Sequence, residues 1–175
     1  LTQAVEGAED RPELAAQDLD VIGFGPADVL VGIATSGRTP YVRGAVEHAR
    51  ALGAFTIGLT CNPDAELNAL VDLAIVPVVG PEVLTGSTRL KAGTATKLVL
   101  NTLTTGAMVR LGKTFGNLMV DLRATNTKLR ARTNRIVRGL TDLSAEEADA
   151  LLATCGGELK TALVSRLAGL TADAA

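Results

Sequence analysis

The sequence predicts an α/β protein built on a parallel sheet, and three observations support this class. Apolar residues make up 47% of the 175 residues and aromatic residues only 2%, so the core must consist of aliphatic side chains. Apolar runs typical of buried parallel strands begin near Val29, Ala54 and Leu73. Segments with helical spacing separate these runs, and strands that alternate with helices form parallel sheets with right-handed crossovers.

The clearest succession of strand, loop and helix runs from Val29 to Gly44. We predict a strand over Val29–Ala34, a loop over Thr35–Thr39 and a helix that begins at Pro40, a residue that suits the first helical turn. Thr39 is expected to cap this helix with its hydroxyl. Free N–H groups and the helix dipole favour an anion at such a point, so the loop predicts a phosphate site. An ordinary capped turn is the alternative.

Two more loops should lie at the same edge of the sheet. We predict further strands over Ala54–Thr60 and Leu73–Val79, each followed by a loop, and ligands gather beyond the carboxyl ends of parallel strands. The loop that begins at Gly80 carries one carboxylate, several hydroxyls and two cations, and it runs into a helix that ends near Arg110. Polar loops of this length are usually functional or disordered. A solvated loop, with Ser87 or Thr88 as a helix cap, is the alternative.

The two ends of the chain are predicted to be helical. Residues 1–20 should form two short helices, or one that is broken at Arg11-Pro12. Gly116–Val137 is predicted to be one amphipathic helix, whose basic residues form a solvated face. Ser144 to Glu147 resembles a capping box that opens a helix to about Cys155, followed by a second helix and a frayed third over 170–175. We therefore expect a main domain over 1–138 and a small three-helix bundle over 139–175.

Charge and cysteine content restrict the possible partners. A formal net charge of -2 argues against nucleic acid, and the sequence has no run of the roughly 20 apolar residues that a membrane span needs. Cys61 and Cys155 lack the spacing of a zinc site or a disulfide framework, so a cytoplasmic protein without a metal is expected. The chain begins at Leu1 and not at Met, which suggests a fragment or a processed product.

Several short motifs together resemble a known family, the bacterial N-acetylmuramic acid 6-phosphate etherases, within the sugar isomerase class of phosphosugar-binding domains. The motifs are A-V-E-G-A-E-D (4–10), G-I-A-T-S-G-R-T-P-Y-V (32–42), C-N-P (61–63), G-P-E-V-L-T-G-S-T-R-L-K-A-G-T-A (80–95), N-L-M-V-D (117–121) and A-T-N (124–126). The resemblance implies a three-layer αβα sheet of the sugar isomerase type, incomplete at the amino end, followed by a bundle that resembles the ubiquitin-associated fold.

The resemblance also implies a reaction and a set of site residues. The family cleaves the D-lactyl ether of N-acetylmuramic acid 6-phosphate, giving N-acetylglucosamine 6-phosphate and D-lactate in cell-wall recycling, with no cofactor. The match to its motifs makes Glu9 the catalytic base, although from the residues alone a solvated acid would be expected there. The remaining matched positions are expected to bind the phosphorylated amino sugar: Ser36, Gly37, Arg38, Thr39, Glu82, Ser87, Thr88 and Lys91.

The chain also departs from the family that it resembles. An earlier strand, a first phosphate loop and the glutamate that protonates lactate do not precede Leu1, so this chain alone is expected to be inactive or nearly so. Members of the class usually form homodimers, and association is expected here. Two other functions stay open: a regulator that senses phosphosugars and resembles glucokinase regulatory protein, and a ketose–aldose isomerase.

Overall fold

The computed structural model describes residues 6–175, and the chain divides into two compact units between Asn101 and Thr102. Residues 1–5, which include part of the predicted amino-terminal helix and of the first motif, lie outside the described residues. The elements follow in the order 3₁₀ turn Ala8–Asp10, α1 Pro12–Val21, β1 Val29–Ile33, α2 Pro40–Ala51, β2 Phe55–Leu59, α3 Leu67–Leu70, β3 Leu73–Ile75, α4 Lys91–Arg110, β4 Thr114–Phe115, β5 Leu118–Met119, α5 Thr127–Leu140, α6 Ala145–Thr154 and α7 Leu159–Ala168.

The first unit contains a three-stranded sheet, and its strands are parallel in the order β1-β2-β3. Val29 is paired with Phe55 at the start of β1 and β2, and Ile57 is paired with Leu73 at the start of β3. The predicted α/β class and parallel sheet are confirmed. The third strand is shorter than predicted, because it ends at Ile75 and the chain continues without regular structure to the next loop.

Helices α2 and α3 cover one face of this sheet. A Cβ added at Gly32 would lie 3.0 Å from Val42 and 3.1 Å from Val46 of α2, and one added at Gly58 would lie 3.6 Å from Leu67 of α3. Glycine in the strands therefore allows the helices to approach closely. Val46 is fully buried at the centre of the resulting apolar cluster.

The opposite face of the sheet is apolar and only partly buried. Because side chains alternate along a strand, Val29, Ile33, Phe55 and Leu73 all point to this face. Their exposed fractions are 56%, 41%, 49% and 46%, respectively. Leu59 of the central strand shares this face and is buried, so within the described residues the first unit covers this face only in part.

The second unit combines the end of α4, a short hairpin and three further helices. Strands β4 and β5 are antiparallel, and Gly116 occupies the turn between them with a φ of 58°. Helices α5, α6 and α7 enclose an apolar core in which Val137, Ala148 and Leu159 are almost inaccessible to solvent. Lys113, which precedes the hairpin, forms an ion pair with Asp121, which follows it.

The structure corrects two predictions for this part of the chain. Gly116–Val137 is not one helix: Gly116-Asn117 forms a two-residue hairpin turn, for which these residue types are suited, and α5 begins only after Asn126. The predicted third helix over 170–175 is also wrong. Gly169 ends α7 in a left-handed conformation, and the Leu170 backbone then hydrogen-bonds back to Ser165.

Other predicted features are confirmed. The break at Arg11-Pro12 separates the 3₁₀ turn from α1. Ser144 and Glu147 form a reciprocal capping box at the start of α6. The strand, loop and helix over Val29–Ala51 also follow the prediction closely.

Candidate functional site

The loop after β1 follows a path that only glycine permits at its centre. Gly37 is buried and has a φ of 69°, in the left-handed region. A Cβ at this position would collide with the Cβ of Ala65 and lie 3.2 Å from Thr60. The Gly37 N–H donates to the Ala34 carbonyl at 2.9 Å, which closes a tight turn directly after the strand.

Polar groups around this turn lie at the start of α2. Ser36 and Arg38 are exposed, and the Arg38 N–H points toward the Ser36 hydroxyl at 3.4 Å. Thr39 occupies the N-cap position, but its side chain makes no capping hydrogen bond, so this detail of the prediction is wrong. Because no side chain in the described part of the chain caps α2, its first N–H groups and the Thr39 hydroxyl are available to an anion.

A hydrogen-bond network attaches the loop after β2 to the first loop. The Cys61 N–H donates to the Thr35 carbonyl at 2.9 Å, and the Asn62 amide donates to the Ser36 carbonyl at 3.4 Å. Asn68 then holds Asn62 in place, since its amide donates to the Asn62 carbonyl at 3.0 Å. Asn62 thus connects the second loop directly to Ser36, and Asn68 stabilises Asn62.

Glu82 lies at the start of α4 and not in open solvent. Its carboxylate accepts the Lys91 N–H at 3.1 Å and the Ala92 N–H at 3.0 Å. The bond from Ala92 does most to hold the pKa of Glu82 below its usual value, and the bond from Lys91 comes next. The positive charge of Lys91 lowers this pKa further. Burial raises the pKa of the Cys61 thiol, and the negative charge of Glu82 raises it further. The second and third loops are therefore close enough for the charge of one to affect a side chain of the other.

Ser87 ends one turn and Thr88 begins the next, which leads into α4. The Ser87 N–H donates to the Leu84 carbonyl at 3.0 Å, and the Thr88 carbonyl accepts the Gly93 N–H at 2.9 Å. Ser87 is half-buried, whereas Thr88 and Lys91 are exposed. Backbone groups thus fix both turns, and neither turn uses the hydroxyl of Ser87 or Thr88.

Glu9 lies in the 3₁₀ turn Ala8–Asp10, and its side chain is exposed. Gly7, in a left-handed conformation, precedes the turn, and the turn lies against α2. The same helix therefore follows the first loop and supports the segment that carries Glu9.

Residue types and placement together define what these loops can do. Polar loops follow all three parallel strands, and amides, hydroxyls and cations suited to an anion are concentrated at the starts of α2 and α4. Among the described residues, no cluster of His, Cys, Asp and Glu side chains is suited to hold a metal ion. None of the described helices is both long and apolar enough to cross a membrane.

The fold and these loops define an α/β protein with a candidate anion-binding site at the carboxyl ends of a parallel sheet. No family model matches the chain. It is 60% identical over 164 residues to the N-acetylmuramic acid 6-phosphate etherase of Rhodopirellula baltica, a match that covers 94% of the chain and 54% of the relative. The enzyme of the same name from Aeromonas hydrophila is 58% identical over 175 residues, which are 100% of the chain and 59% of the relative.

A third relative, from Mycolicibacterium smegmatis, carries the same name and is 58% identical over 98% of the chain and 58% of its own length. Over the part that it spans, the chain is therefore similar to proteins named N-acetylmuramic acid 6-phosphate etherase. It spans between 54% and 59% of the length of these relatives.

The sequence predicted most of these positions but not the residues that hold them in place. The resemblance predicted Ser36, Gly37, Arg38 and Thr39, and the structure places them together in one turn. It did not indicate the supporting network of Thr60, Asn62 and Asn68. The turn signal Asn62-Pro63-Asp64 was visible, since asparagine commonly hydrogen-bonds the backbone two residues on, as it does to the Asp64 N–H at 3.1 Å.

Proposed function

We propose that the chain supplies the phosphosugar-binding part of an N-acetylmuramic acid 6-phosphate etherase. The whole enzyme would cleave the D-lactyl ether to give N-acetylglucosamine 6-phosphate and D-lactate during cell-wall recycling. The observation that carries this proposal is the identity of 60% to a relative of that name over nearly all of the chain. The predicted alternatives, a phosphosugar-sensing regulator and a ketose–aldose isomerase, have no comparable support.

In this proposal the 6-phosphate is bound by the first loop. The N–H groups at the start of α2 and the hydroxyls of Ser36 and Thr39 would contact it, and Gly37 allows the backbone to come close. Ser87 and Thr88 would contribute further hydroxyls. The phosphate does not react, so its binding energy can hold the reacting carbons in place.

Glu9 would act as the base that removes the proton at C2 of the opened sugar. Loss of lactate from C3 and addition of water would then complete the reaction, and the carbonyl at C1 acidifies the C2 proton without a metal. A positioned base contributes about 10²–10⁴-fold to a rate. The exposure of Glu9 supports this role, since a buried carboxylate could not reach a ligand.

The charged residues of the site have separate proposed roles. Arg38 and Lys91 would attract the phosphate or the sugar hydroxyls. Glu82 uses only part of its capacity on α4, because an ionised carboxylate has about four acceptor positions, so it can also accept a sugar hydroxyl. Its contacts with Lys91 and Ala92 make it a support for the third loop as well.

The remaining features of the proposal concern the whole protein. The parallel sheet is compatible with part of a three-layer domain of the sugar isomerase type. We propose that the protein is cytoplasmic, where thiols such as those of Cys61 and Cys155 stay free. We also propose that it forms a homodimer. The boundary between residues 138 and 139 and the ubiquitin-associated-like character of the end of the chain stay predictions. Because the chain spans 54% of the Rhodopirellula relative, we expect little lactate release from it alone.

The test uses two forms of the protein. One is the chain itself, and the other joins it to the part of the Rhodopirellula baltica relative that it does not span, which we call the completed polypeptide. We expect D-lactate release from N-acetylmuramic acid 6-phosphate by the completed polypeptide, and little by the chain. Glu9→Gln should lower this rate by about 100-fold or more, while phosphosugar affinity is kept.

Asp10→Asn is the matched control, because Asp10 is an exposed carboxylate in the same 3₁₀ turn. Its rate should stay close to that of the unsubstituted protein. Phosphosugar binding without any lactate release would contradict the proposal and favour the regulator, and a sugar isomer as the product would favour the isomerase. An unchanged rate in Glu9→Gln would contradict the role of Glu9.

A further inference from the structure

One side of α2 is built to hold α1 at a fixed place. Tyr41, Gly44 and His48 are spaced by three and four residues, so they lie on the same side of this helix. All three face α1 or the residues that begin it. Gly44 makes a close backbone contact, whereas the other two residues form side-chain hydrogen bonds. Together these contacts determine where α1 lies.

Gly44 provides the closest contact. A Cβ at this position would lie 2.7 Å from Pro12 Cβ and 2.8 Å from the Pro12 carbonyl carbon, and it would also collide with the carbonyl oxygen. Gly44 is buried in the interior of α2, where glycine costs about 1 kcal/mol of helix stability relative to alanine. The residue is unfavourable for the helix but necessary for the approach of Pro12.

Two side-chain hydrogen bonds secure the rest of α1. The Tyr41 hydroxyl donates to Asp18 at 2.7 Å, and this bond raises the pKa of Tyr41. His48 Nε2 lies 2.8 Å from a carboxylate oxygen of Asp20. Both acidic residues belong to the second half of α1, so this helix is held at both of its ends.

These contacts connect the two ends of the proposed site. The first loop ends at Thr39, directly before α2, and Gly44 lies in the second turn of the helix. The 3₁₀ turn that carries Glu9 ends at Asp10, two positions before Pro12, and it also lies against α2. The position of Glu9 relative to the first loop therefore depends on how closely Pro12 approaches Gly44.

We propose that Gly44 is a positioning residue for the reaction, which sets the place of Glu9 relative to the loop Thr35–Thr39. This inference rests on the proposed function, because it requires Glu9 as the base and the loop as the phosphate site. Addition of a methyl group at position 44 displaces Pro12 and moves Glu9 with it, while the loop itself is untouched. A displacement of this kind lowers the rate more than the affinity, since a 1 Å misplacement can cost about 100-fold.

The first experiment compares glycine-to-alanine variants of the completed polypeptide. Gly44→Ala should lower kcat for lactate release about tenfold or more, with KM within about threefold of its original value. Gly106→Ala in α4 and Gly139→Ala in α5 are matched controls, because an added Cβ meets no atom within 4 Å at either position. Both controls should keep kcat. An equal kcat in Gly44→Ala and the controls would overturn the inference.

The second experiment separates positioning from a general structural defect. If Gly44 acts through Glu9, then Gly44→Ala has no further effect on kcat in a Glu9→Gln background. An equal loss of kcat in both backgrounds would overturn the inference. A Glu9→Gln variant with full activity would instead contradict the proposed function, so the two failures are distinguishable.

A milder variant is available if Gly44→Ala does not fold. Tyr41→Phe removes only the hydroxyl that donates to Asp18. We expect a decrease of kcat of about threefold, again with KM preserved and again absent in the Glu9→Gln background. A loss of affinity with unchanged kcat would contradict the inference.

Discussion

The two units of the chain differ in how they use their apolar residues. The helical unit forms one cluster of eight buried residues around Val137 and Leu159. In the sheet unit the corresponding cluster consists of Ala34, Val46 and Leu67, and large side chains on the other face of its sheet remain exposed. Within the described residues, the helical unit therefore encloses the larger continuous apolar core, whereas the sheet unit leaves part of one face of its sheet uncovered.

The difference extends to the polar residues. In the sheet unit, glycines and hydroxyls are concentrated where the strands end, and Gly37 and Gly44 have conformations or contacts that no other residue would satisfy. In the helical unit, polar residues mainly end or begin helices, as Asn126 and Ser144 do. The polar residues of the sheet unit thus form the loops of the candidate site, whereas those named in the helical unit stabilise the starts of its helices.

The largest effect is expected from the core of the helical unit. Leu159→Ala removes a side chain that is 1% exposed and should lower the free energy of unfolding by about 2–5 kcal/mol. Leu167→Ala is the control, because Leu167 lies in the same helix and is 54% exposed. Urea unfolding, followed through backbone amide signals of α5–α7, measures both. Equal effects of the two variants would mean that this unit has no well-packed core.

The next effect concerns the first loop of the sheet unit. Gly37→Ala forces a side chain into the left-handed region, which costs about 1–2 kcal/mol, and it brings the new Cβ against Ala65. We expect affinity for N-acetylglucosamine 6-phosphate to fall by about tenfold or more, as measured by calorimetry. Gly25→Ala, at a loop position where an added Cβ meets no atom within 4 Å, should bind normally. Normal binding by Gly37→Ala would contradict the proposal that this loop binds the phosphate.

A smaller effect is expected at the start of α6. The Ser144 hydroxyl accepts the Glu147 N–H at 3.2 Å, so Ser144→Ala should lower the free energy of unfolding by about 1 kcal/mol. Phosphosugar binding should be unchanged, because Ser144 belongs to the helical unit and not to the loops of the proposed site. A loss of phosphosugar binding in this variant would show that the helical unit contributes to the site.

The same cap predicts a dependence on pH. Hydrogen bonds from the Ser144 backbone and side chain hold the pKa of Glu147 below its value of 4.5 in the unfolded chain. Its contribution to stability is therefore complete above pH 4.5 and is lost as the pH falls through the lowered pKa of the folded state. When the pH is lowered from neutral to strongly acidic, the free energy of unfolding should therefore fall less in Glu147→Ala than in the unsubstituted chain. Glu146→Ala, in the same helical turn, is the control and should fall as much as the unsubstituted chain.

Local patterns in the sequence predicted much of the fold. The apolar run before Thr35 indicated β1, Pro40 indicated the start of α2, and the spacing of Ser144 and Glu147 indicated α6. The hairpin at Gly116-Asn117 was missed, because the alternating apolar residues of a short hairpin also fit a helical pattern over a longer window. Its two-residue turn was the stronger local signal.

The candidate site was predictable only in part, for a physical reason. A loop motif such as the residues around Gly37 is local, so its conformation follows from nearby residues. The bond of Asn62 to Ser36 joins residues from separate loops, and the bond of Glu82 to the start of α4 joins residues nine positions apart. The approach of Pro12 to Gly44 likewise joins two helices. Such contacts arise only when the fold brings the segments together.

The central claim is that the loop Thr35–Thr39 binds the phosphate of a phosphorylated amino sugar. Nuclear magnetic resonance titration with N-acetylglucosamine 6-phosphate tests it most directly, with unphosphorylated N-acetylglucosamine as the control, in both the chain and the completed polypeptide. We predict saturable shifts of the amide signals of Ser36, Gly37 and Thr39 with the phosphorylated sugar only, and unchanged signals around Leu159. Unmoved signals of the three loop residues at saturating phosphosugar in the completed polypeptide would contradict the claim.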